Sequence, residues 1–246
     1  MADRRRADQL LVERGLFASR AQAQAAIAAG LVTADAVVIT KPSTEIRVDA
    51  ALQASPAHPW VSRGGVKLAA ALAQSGVDVK GRVCLDVGAS TGGFSEVLLA
   101  RGARLVYAVD VGHGQLHERL RARADLISFE DTDIRRLDAA RLPEPPDVVV
   151  IDASFISLRL VLPAALALAA PRAHLLALIK PQFEAPRGAI KKGIVRDPTV
   201  HAAICDEITA LVRSFGWTVS AAFPSAILGG DGNREFFIAA SRNAAL

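Results

Sequence analysis

The sequence predicts an α/β protein whose largely parallel β-sheet carries helices on both faces and follows a small N-terminal α+β unit. Two observations predict the sheet. From residue 83 onward, apolar runs of strand length alternate with segments of helical period, as in consecutive βαβ units. The first strand ends in a glycine-rich turn, D-V-G-A-S-T-G-G over 86–93, which leads directly into a helix. A proline-containing segment before the sheet predicts the boundary between the two parts.

The composition is that of a folded protein with a mild excess of positive charge. Hydrophobic residues make up 51% of the 246 residues, so the chain has enough apolar side chains to bury a core. The net charge of +4 favours an anionic partner without naming it, because a mild excess is also common on solvated surfaces. The only cysteines are Cys84 and Cys205, which supports neither a disulfide framework nor a metal site.

The sequence does not favour a secreted or a membrane protein. The charged N-terminus, Met-Ala-Asp-Arg-Arg-Arg, is not followed by an apolar stretch of the signal-peptide type. The most apolar window, residues 160–179, is interrupted by Pro163 and Pro171, and so predicts a helix, a turn and a buried strand rather than a membrane span. We therefore expect a cytoplasmic protein without stable membrane association.

Two short helices and a few short strands are predicted for the N-terminal part. Residues 7–14 carry adjacent leucines among charges and end at a glycine. Residues 19–29 open with Ser19 followed by Gln22, a capping-box pattern, and also end at a glycine. Short apolar or alternating runs between turn residues then predict strands up to about residue 52.

The remainder of the chain divides into a linker and a larger domain. Residues 53–59 predict an extended linker because their two prolines deny a helix, which leaves one domain at 6–52 and another at 60–246. A helix is predicted from residue 61 to about 74. The regular alternation then predicts strands at 83–87, 104–109, 125–129, 147–151, 173–179, 217–222 and 235–240, and helices at 94–101, 114–122, 157–169 and 199–214.

The glycine turn predicts a ligand site at the carboxyl end of the first strand, where open α/β sheets bind small molecules. Its spacing, G-x-x-x-G-G, differs from the G-x-G-x-x-G that seats a pyrophosphate, so a dinucleotide is disfavoured. Asp86 precedes the turn, and Asp110 ends the next apolar run, where a ribose diol would be held. Two acids without a phosphate-cradling lysine favour S-adenosylmethionine, which is cationic at sulfur and carries no phosphate. The alternative is an ordinary strand, loop and helix with a structural aspartate.

Four charged residues stand where apolar periodicity does not require them: Lys67, Asp152, Lys180 and Glu235. Asp152 and Lys180 follow strands that are adjacent in the expected topology, on the same edge as the glycine turn. Each of the four also has an ordinary explanation: a surface lysine, a helix cap, a strand-end charge and its salt-bridge partner. Two lysines and two carboxylates at one rim together favour a centre that removes a proton.

Several motifs carry a resemblance to a known family. The run R-A-D-Q-L-L-V-E-R-G-L-F-A-S-R-A-Q over 6–22 resembles the RNA-binding module first seen in bacterial small-subunit ribosomal protein S-four. With the glycine turn, S-R-G-G-V-K-L, D-A-S-F-I-S, K-P-Q-F-E and G-N-R-E-F, it identifies the chain as a member of the TlyA family of bacterial rRNA 2′-O-methyltransferases. That family joins an S-four-type RNA-binding domain to an FtsJ-like, Rossmann-like methyltransferase domain.

The resemblance implies three sets of site residues. The catalytic tetrad falls on Lys67, Asp152, Lys180 and Glu235. The cofactor contacts fall on Asp86, Gly88, Ser90, Thr91, Gly92, Gly93, Phe94, Asp110 and Asp133, the last of which departs from the Thr-Asn expected there. The RNA contacts fall on Arg6, Ser19, Arg20, Gln22, Lys41 and Arg63, for which solvated surface is the alternative interpretation.

The resemblance implies methyl transfer from S-adenosylmethionine to a ribose 2′-hydroxyl, of a cytidine, in the rRNA of ribosomal subunits. We expect Lys180 to be the base or the orienting group, and Lys67 and Asp152 to fix the hydroxyl and Lys180. Glu235 would position Lys67 or the nucleotide. Two alternatives are a haemolysin-like membrane-active protein, because relatives carry that label, and a non-catalytic rRNA-binding assembly factor. The lack of a predicted membrane span weighs against the first, and the complete tetrad weighs against the second.

Overall fold

The computed structural model describes residues 3–243, which divide between Pro59 and Trp60 into two compact units. The N-terminal unit contains α1 (Ala7–Glu13), α2 (Arg20–Ala28), β1 (Arg4–Arg6), β2 (Val32–Ala34), β3 (Val37–Val38), β4 (Glu45–Arg47) and β5 (Leu52–Ala54). Strand β1 pairs with β4, and β2 lies between β3 and β5, all antiparallel. Buried apolar side chains from both helices and the strands close a core of its own.

Two of these strands are not predicted by the sequence. Strand β1 consists of three arginines, a composition without a strand signature, and it forms because it pairs with β4. Strand β5 occupies residues that the sequence assigns to the end of the first domain and the start of the linker, because it pairs with β2. The predicted linker is thus shortened to residues 55–59, which belong to no helix or strand and bend at residues 57–59 instead of running fully extended.

The C-terminal unit contains the alternating strands and helices that the sequence predicts. Its helices are α3 (Arg63–Ser75), α4 (Gly93–Ala100), α5 (Glu118–Arg121), α6 (Leu158–Leu168), α7 (Pro181–Glu184) and α8 (Pro198–Ser214). Its strands are β6 (Val83–Val87), β7 (Leu105–Val109), β8 (Leu126–Phe129), β9 (Val148–Ile151), β10 (Ala173–Ile179), β11 (Thr218–Pro224) and β12 (Phe236–Arg242).

The seven strands form one mixed sheet in the order β11-β12-β10-β9-β6-β7-β8. Strands β8, β7, β6, β9 and β10 are parallel, and β12 is antiparallel to both β10 and β11. Along β6 the side chains alternate between two apolar layers: Leu85 joins the layer of α6 and α8, and Cys84 joins the layer of α3 and α4. The carboxyl ends of the parallel strands meet at one edge of this sheet.

One helix is shorter than predicted, and another is not predicted by the sequence. Helix α5 is shorter than the predicted 114–122, because the backbone N–H groups of Gln115 and Leu116 donate to the Glu130 carboxylate instead of starting a helix. Helix α7 follows β10 directly and has no apolar period of its own. No helix within residues 3–243 is both long enough and apolar enough to cross a lipid bilayer.

Candidate active site

The glycine turn lies against the carboxyl end of β9. Gly88 has φ +82°, and a Cβ atom there would lie 2.8 Å from the carbonyl oxygen of Asp152. The backbone N–H groups of Gly88 and Ala89 both donate to the carbonyl of Val109 at the end of β7. Gly93 likewise leaves no room for a side chain, since a Cβ would overlap the Ser62 hydroxyl. Glycine is therefore required where the turn passes between neighbouring elements.

A first cleft of about 570 Å³ opens beside this turn, between the ends of β6, β7 and β9. The Asp110 carboxylate lines it in a fixed orientation: Oδ2 accepts from the Ser90 N–H at 2.8 Å and Oδ1 accepts from the Gly112 N–H at 2.7 Å. Each carboxylate oxygen has a further lone pair, so Asp110 can still accept hydrogen bonds from two ligand hydroxyls. Gly88 and Ser90 line the same cleft.

Asp133 also lines the first cleft and forms an ion pair with Arg135, at 2.5 Å between Asp133 Oδ2 and Arg135 Nη2. Hydrogen bonds from the Arg135 side chain lower the pKa of Asp133 to about 2. At neutral pH this carboxylate is therefore ionised, and it accepts hydrogen bonds but donates none. An asparagine at this position would do both. Arg135 is a residue that sequence reasoning missed, because a charge two positions after a loop aspartate has no distinctive signal.

A narrow cavity of about 190 Å³ lies beside the first cleft, shares Asp152 and Ser154 with it, and is also lined by Lys180. The predicted residues Thr91, Gly93 and Phe94 line it together with Asp152 and Ser154. The turn therefore contributes to two neighbouring cavities rather than to one. The predicted residue Gly92 lines neither cavity; its backbone, at φ +93°, packs against the side chains of Leu116 and Leu120.

Asp86 lies beneath the turn and also lines neither cavity. Even-numbered positions of β6 face the α3 and α4 layer, so the carboxyl is fully buried, with Oδ2 accepting from the Ser95 hydroxyl at 2.7 Å. Burial raises the pKa of Asp86 from 3.8 to about 7. The side chain for which a ligand contact is predicted therefore lies beneath the turn and outside the lining of both cavities.

We expect the stability of the protein to fall as pH rises from about 4 to about 7, because folded Asp86 keeps a proton that the unfolded chain has already lost. Asp86→Asn mimics the protonated carboxyl and should remove this component. The difference in Tm between this variant and the wild-type protein should therefore shift in favour of the variant from pH 5.5 to pH 8. A Tm difference that stays constant across this range would contradict the prediction.

The four tetrad residues form two ion pairs. Lys180 Nζ lies 2.6 Å from Asp152 Oδ1 and donates to the Ser154 hydroxyl at 2.7 Å. Lys67 Nζ lies 2.5 Å from Glu235 Oε2. Both lysines are only 8% exposed, and Glu235 is 4% exposed. Glu235 therefore pairs with Lys67. The alternative explanation, in which Glu235 is the salt-bridge partner of Lys180, is wrong.

Lys67, Lys180 and Glu235 line a second cleft of about 370 Å³. Ser154 lines this cleft, the narrow cavity and the first cleft, so the three are neighbours along one edge of the sheet. Lys180 and Asp152 stand at the junction between them. A group bound in the second cleft therefore meets a ligand of the first cleft beside these two side chains.

Phe155 is an aromatic residue that sequence reasoning missed. Its side chain is 91% exposed, its φ is +63°, and it lines both the first and the second cleft. Its ring centroid lies 5.2 Å from that of Phe183 on α7. A bulky residue rarely adopts such a φ, so its exposed position is imposed by the loop. The available signal was an aromatic residue shortly after a strand-end aspartate.

Glu184 links two of the sequence motifs, D-A-S-F-I-S at 152–157 and K-P-Q-F-E at 180–184. This buried carboxylate on α7 accepts from the Ser157 hydroxyl at 2.6 Å, from the Leu158 N–H at 2.7 Å and from the Arg159 guanidinium at 3.0 Å. It therefore ties the loop after β9 to the segment after β10. That loop carries Phe155, and the segment begins at Lys180.

In the N-terminal unit, Arg6 and Arg20 share one buried carboxylate. Asp8 is 0% exposed and accepts from Arg6 Nε at 3.0 Å, from Arg20 Nη2 at 2.8 Å and from Gln24 Nε2 at 2.8 Å. Hydrogen bonds from Arg6, and then from Arg20 and Gln24, hold the pKa of Asp8 well below its usual range. The two guanidinium groups are thus held side by side, about half exposed, with one positive charge in excess.

Of the other residues predicted to contact RNA, Ser19, Gln22 and Arg63 form hydrogen bonds within the protein, and Lys41 is exposed. Ser19 Oγ accepts from the Gln22 N–H at 3.4 Å, and Gln22 Oε1 accepts from the Ala18 N–H at 3.2 Å, which caps α2. Lys41 is exposed on the turn before β4. In the C-terminal unit, Arg63 begins α3 and donates to the Leu228 carbonyl at 2.6 Å.

Two families match the chain. The FtsJ-like methyltransferase family matches residues 60–242, and the S4 domain matches residues 5–52. The 16S/23S rRNA (cytidine-2′-O)-methyltransferase TlyA of Mycobacterium tuberculosis is 42% identical over 241 residues, or 97% of this chain and 90% of that protein. Hemolysin A of Brachyspira hyodysenteriae is 36% identical over 94% of this chain and 97% of its own. A solved structure of a candidate hemolysin from Streptococcus thermophilus has a TM-score of 0.78 at 38% identity, over 99% of this chain and 90% of that one.

Proposed function

Because the chain belongs to the FtsJ-like methyltransferase family and carries an S4 domain before its methyltransferase domain, we propose that it methylates ribosomal RNA. S-adenosylmethionine is the methyl donor. The acceptor is the ribose 2′-hydroxyl of a cytidine, the specificity named for the M. tuberculosis relative. The observation that carries the proposal is the presence of two ion pairs, Lys180 with Asp152 and Lys67 with Glu235, beside the neighbouring clefts.

The first cleft fits S-adenosylmethionine in size and in charge. Its volume of about 570 Å³ lies within the usual range of small-molecule sites, about 300 to 1,000 Å³. Its charged lining is Asp110, Asp133, Arg135 and Asp152, and Arg135 is paired with Asp133, so the excess is negative. This favours a cationic ligand without phosphate. Asp110 would accept hydrogen bonds from the ribose hydroxyls, and Asp133 would accept one from the adenine amino group.

When bound, S-adenosylmethionine supplies a methyl group on a positively charged sulfur. Lys180 then acts on the acceptor oxygen: its amino group donates a hydrogen bond when charged and can take the hydroxyl proton when neutral. Asp152 and Ser154 hold that amino group in place, and so contribute positioning.

Lys67 and Glu235 line the second cleft together with Lys180 and would hold the ribose of the target nucleotide. A ribose reaches this cleft only when its nucleotide leaves the base stack, and an unstacked base needs a new surface. Phe155 offers one, because its ring is exposed at the rim of the same cleft. This arrangement supports a single extruded nucleotide as the substrate.

The N-terminal unit would contact the phosphates of the RNA through Arg6 and Arg20. Two guanidinium groups on one carboxylate retain a positive charge and donors that point away from Asp8. Such contacts anchor a nucleic acid without selecting its sequence. The division of labour is therefore anchoring by the N-terminal unit and methyl transfer by the C-terminal unit.

The proposal predicts cytidine 2′-O-methylation that depends on this gene. Primer extension at low nucleotide concentration on 16S and 23S rRNA should show a stop in cells with the gene and none in cells without it. Restoring the gene should restore the stop, whereas restoring Lys180→Ala should not. Identical extension patterns on both rRNAs with and without the gene would reject the proposed substrate.

A further inference from the structure

A ten-residue segment between α7 and α8 is the most basic part of the chain. Residues 187–196, R-G-A-I-K-K-G-I-V-R, contain four arginines and lysines and no acid. The whole chain has 29 basic and 25 acidic residues, so the rest of it has 25 of each. The charge of this segment, +4, therefore equals the net charge of the whole protein.

The lysines of this segment lie at the tip of a tight turn, which we call the basic turn (residues 190–195). Lys191 and Ile194 exchange two backbone hydrogen bonds of 3.0 Å each. Lys192 and Gly193 between them have φ values of +52° and +78°, as in a two-residue hairpin loop. Both lysines are exposed, and neither forms an ion pair with any residue that the structure describes.

Two buried side chains hold the basic turn in position. Asn233 is 1% exposed; its Nδ2 donates to the Gly193 carbonyl at 2.9 Å, and its Oδ1 accepts from the Val195 N–H at 3.1 Å. His201 Nε2 lies 3.0 Å from the Val195 carbonyl oxygen. The turn is thus fastened to the loop that leads into β12. Glu235 of the tetrad stands two residues after Asn233 on that loop.

The basic turn also borders the second cleft. Ile190 and Gly193 line this cleft together with Lys67, Lys180 and Glu235. The exposed lysines therefore lie beside the opening through which a nucleotide would enter. An RNA strand that delivers one nucleotide to the cleft must leave the phosphates on either side of it at this rim.

We propose that Lys191 and Lys192 bind the backbone phosphates of the RNA strand next to the target nucleotide. The inference rests on the proposed function and adds an anchoring site on the methyltransferase domain, separate from that of the N-terminal unit. Because backbone and side-chain hydrogen bonds already hold the turn, it loses little conformational freedom on binding, which increases its contribution to affinity. Because lysine contacts phosphate as a point charge, the turn anchors the strand without selecting a base.

The test uses the full-length double variant Lys191→Gln/Lys192→Gln with ribosomal subunits as substrate. We expect the affinity for subunits to fall by about tenfold at low salt, and the slope of log K against log salt to decrease by about 1.4 to 1.8, that is about 0.7 to 0.9 per lost phosphate contact. Affinity for S-adenosylmethionine and kcat at saturating subunits should stay within about twofold of wild type.

The matched control is Arg101→Gln/Arg172→Gln, which removes the same charge from exposed positions at the opposite edge of the sheet. Equal affinity and equal salt slope for the lysine variant and this control would overturn the inference. So would a loss of kcat with unchanged binding. If wild-type protein neither binds nor methylates subunits, the proposed function itself fails, which is a different result.

Discussion

We expect Lys180→Ala to lose methyl transfer by about a hundredfold or more, the usual range for removal of a general acid or base, while the fold and cofactor binding survive. Lys180 is the one tetrad residue whose amino group contacts both Asp152 and Ser154, where the second cleft meets the narrow cavity. Its loss removes the group closest to the expected path of the hydroxyl proton. Single-turnover incorporation of labelled methyl into ribosomal subunits, at saturating cofactor, measures the effect.

Two further variants at this ion pair separate its roles. Asp152→Ala should lose activity to a similar extent, because Lys180 then loses the carboxylate that positions it. Lys180→Arg keeps the charge but cannot take a proton, so it should be as inactive as the alanine variant if Lys180 is the base. If Lys180 only orients the hydroxyl, the arginine variant should retain part of the activity.

Lys80→Ala is the matched control, because Lys80 is an exposed lysine before β6, at the opposite edge of the sheet. It should methylate at the wild-type rate. Thermal unfolding of all four proteins confirms that losses do not arise from misfolding. Near-wild-type rates in both Lys180→Ala and Asp152→Ala would leave the tetrad as a structural cluster of charges.

A chain that begins at Pro59 should fold and bind S-adenosylmethionine, yet methylate ribosomal subunits about a hundredfold or more less efficiently at physiological salt, since several phosphate contacts would be lost. The structural basis is that each unit has its own apolar core. Without residues 1–58, the Arg6 and Arg20 pair is missing. The kcat/KM for subunits and their affinity across a salt series are the measurements.

The salt series identifies the cause of the loss. Phosphate anchoring predicts a shallower slope for the shortened chain than for the full-length protein. The full-length Asp8→Asn variant adds a check on geometry: it removes an acid, so charge alone predicts tighter RNA binding. If Asp8 holds the two arginines in a binding arrangement, affinity should fall instead. Equal affinity, salt slope and turnover for the shortened and full-length chains would show that Arg6 and Arg20 do not anchor the RNA and are ordinary solvated surface residues.

The sequence predicts the framework of the larger unit well because its signals are local. Strands β6, β7, β9 and β10 are short apolar runs bounded by turn residues, and each has bounds within a residue of the prediction. The meeting of Asp152 and Lys180 also follows from sequence, since consecutive parallel strands place their carboxyl ends at one edge. The spacing of the glycines disfavoured a dinucleotide for a similar reason, since all of them belong to one continuous turn.

Local patterns predict least where a neighbour in space decides the conformation. Strand β1 exists only because it pairs with β4, and the first turn of the predicted helix at 114–122 is replaced by hydrogen bonds to Glu130. Phe155 has no helical or strand period to place it. Its exposed position depends on a loop that Glu184 ties to the neighbouring segment.

The sequence alone determined the α/β class, the alternation of elements and the glycine turn, and it predicted the four tetrad residues. Only the tertiary structure decided how they combine. Lys67 and Glu235 are 168 residues apart, and they pair because α3 and β12 contribute to the same apolar layer. Asp86 lies under the turn because the strand register directs it toward α4. Asn233 fastens the basic turn through contacts to residues about forty positions away. Periodicity records which face of an element is apolar, whereas such pairings depend on packing between distant elements.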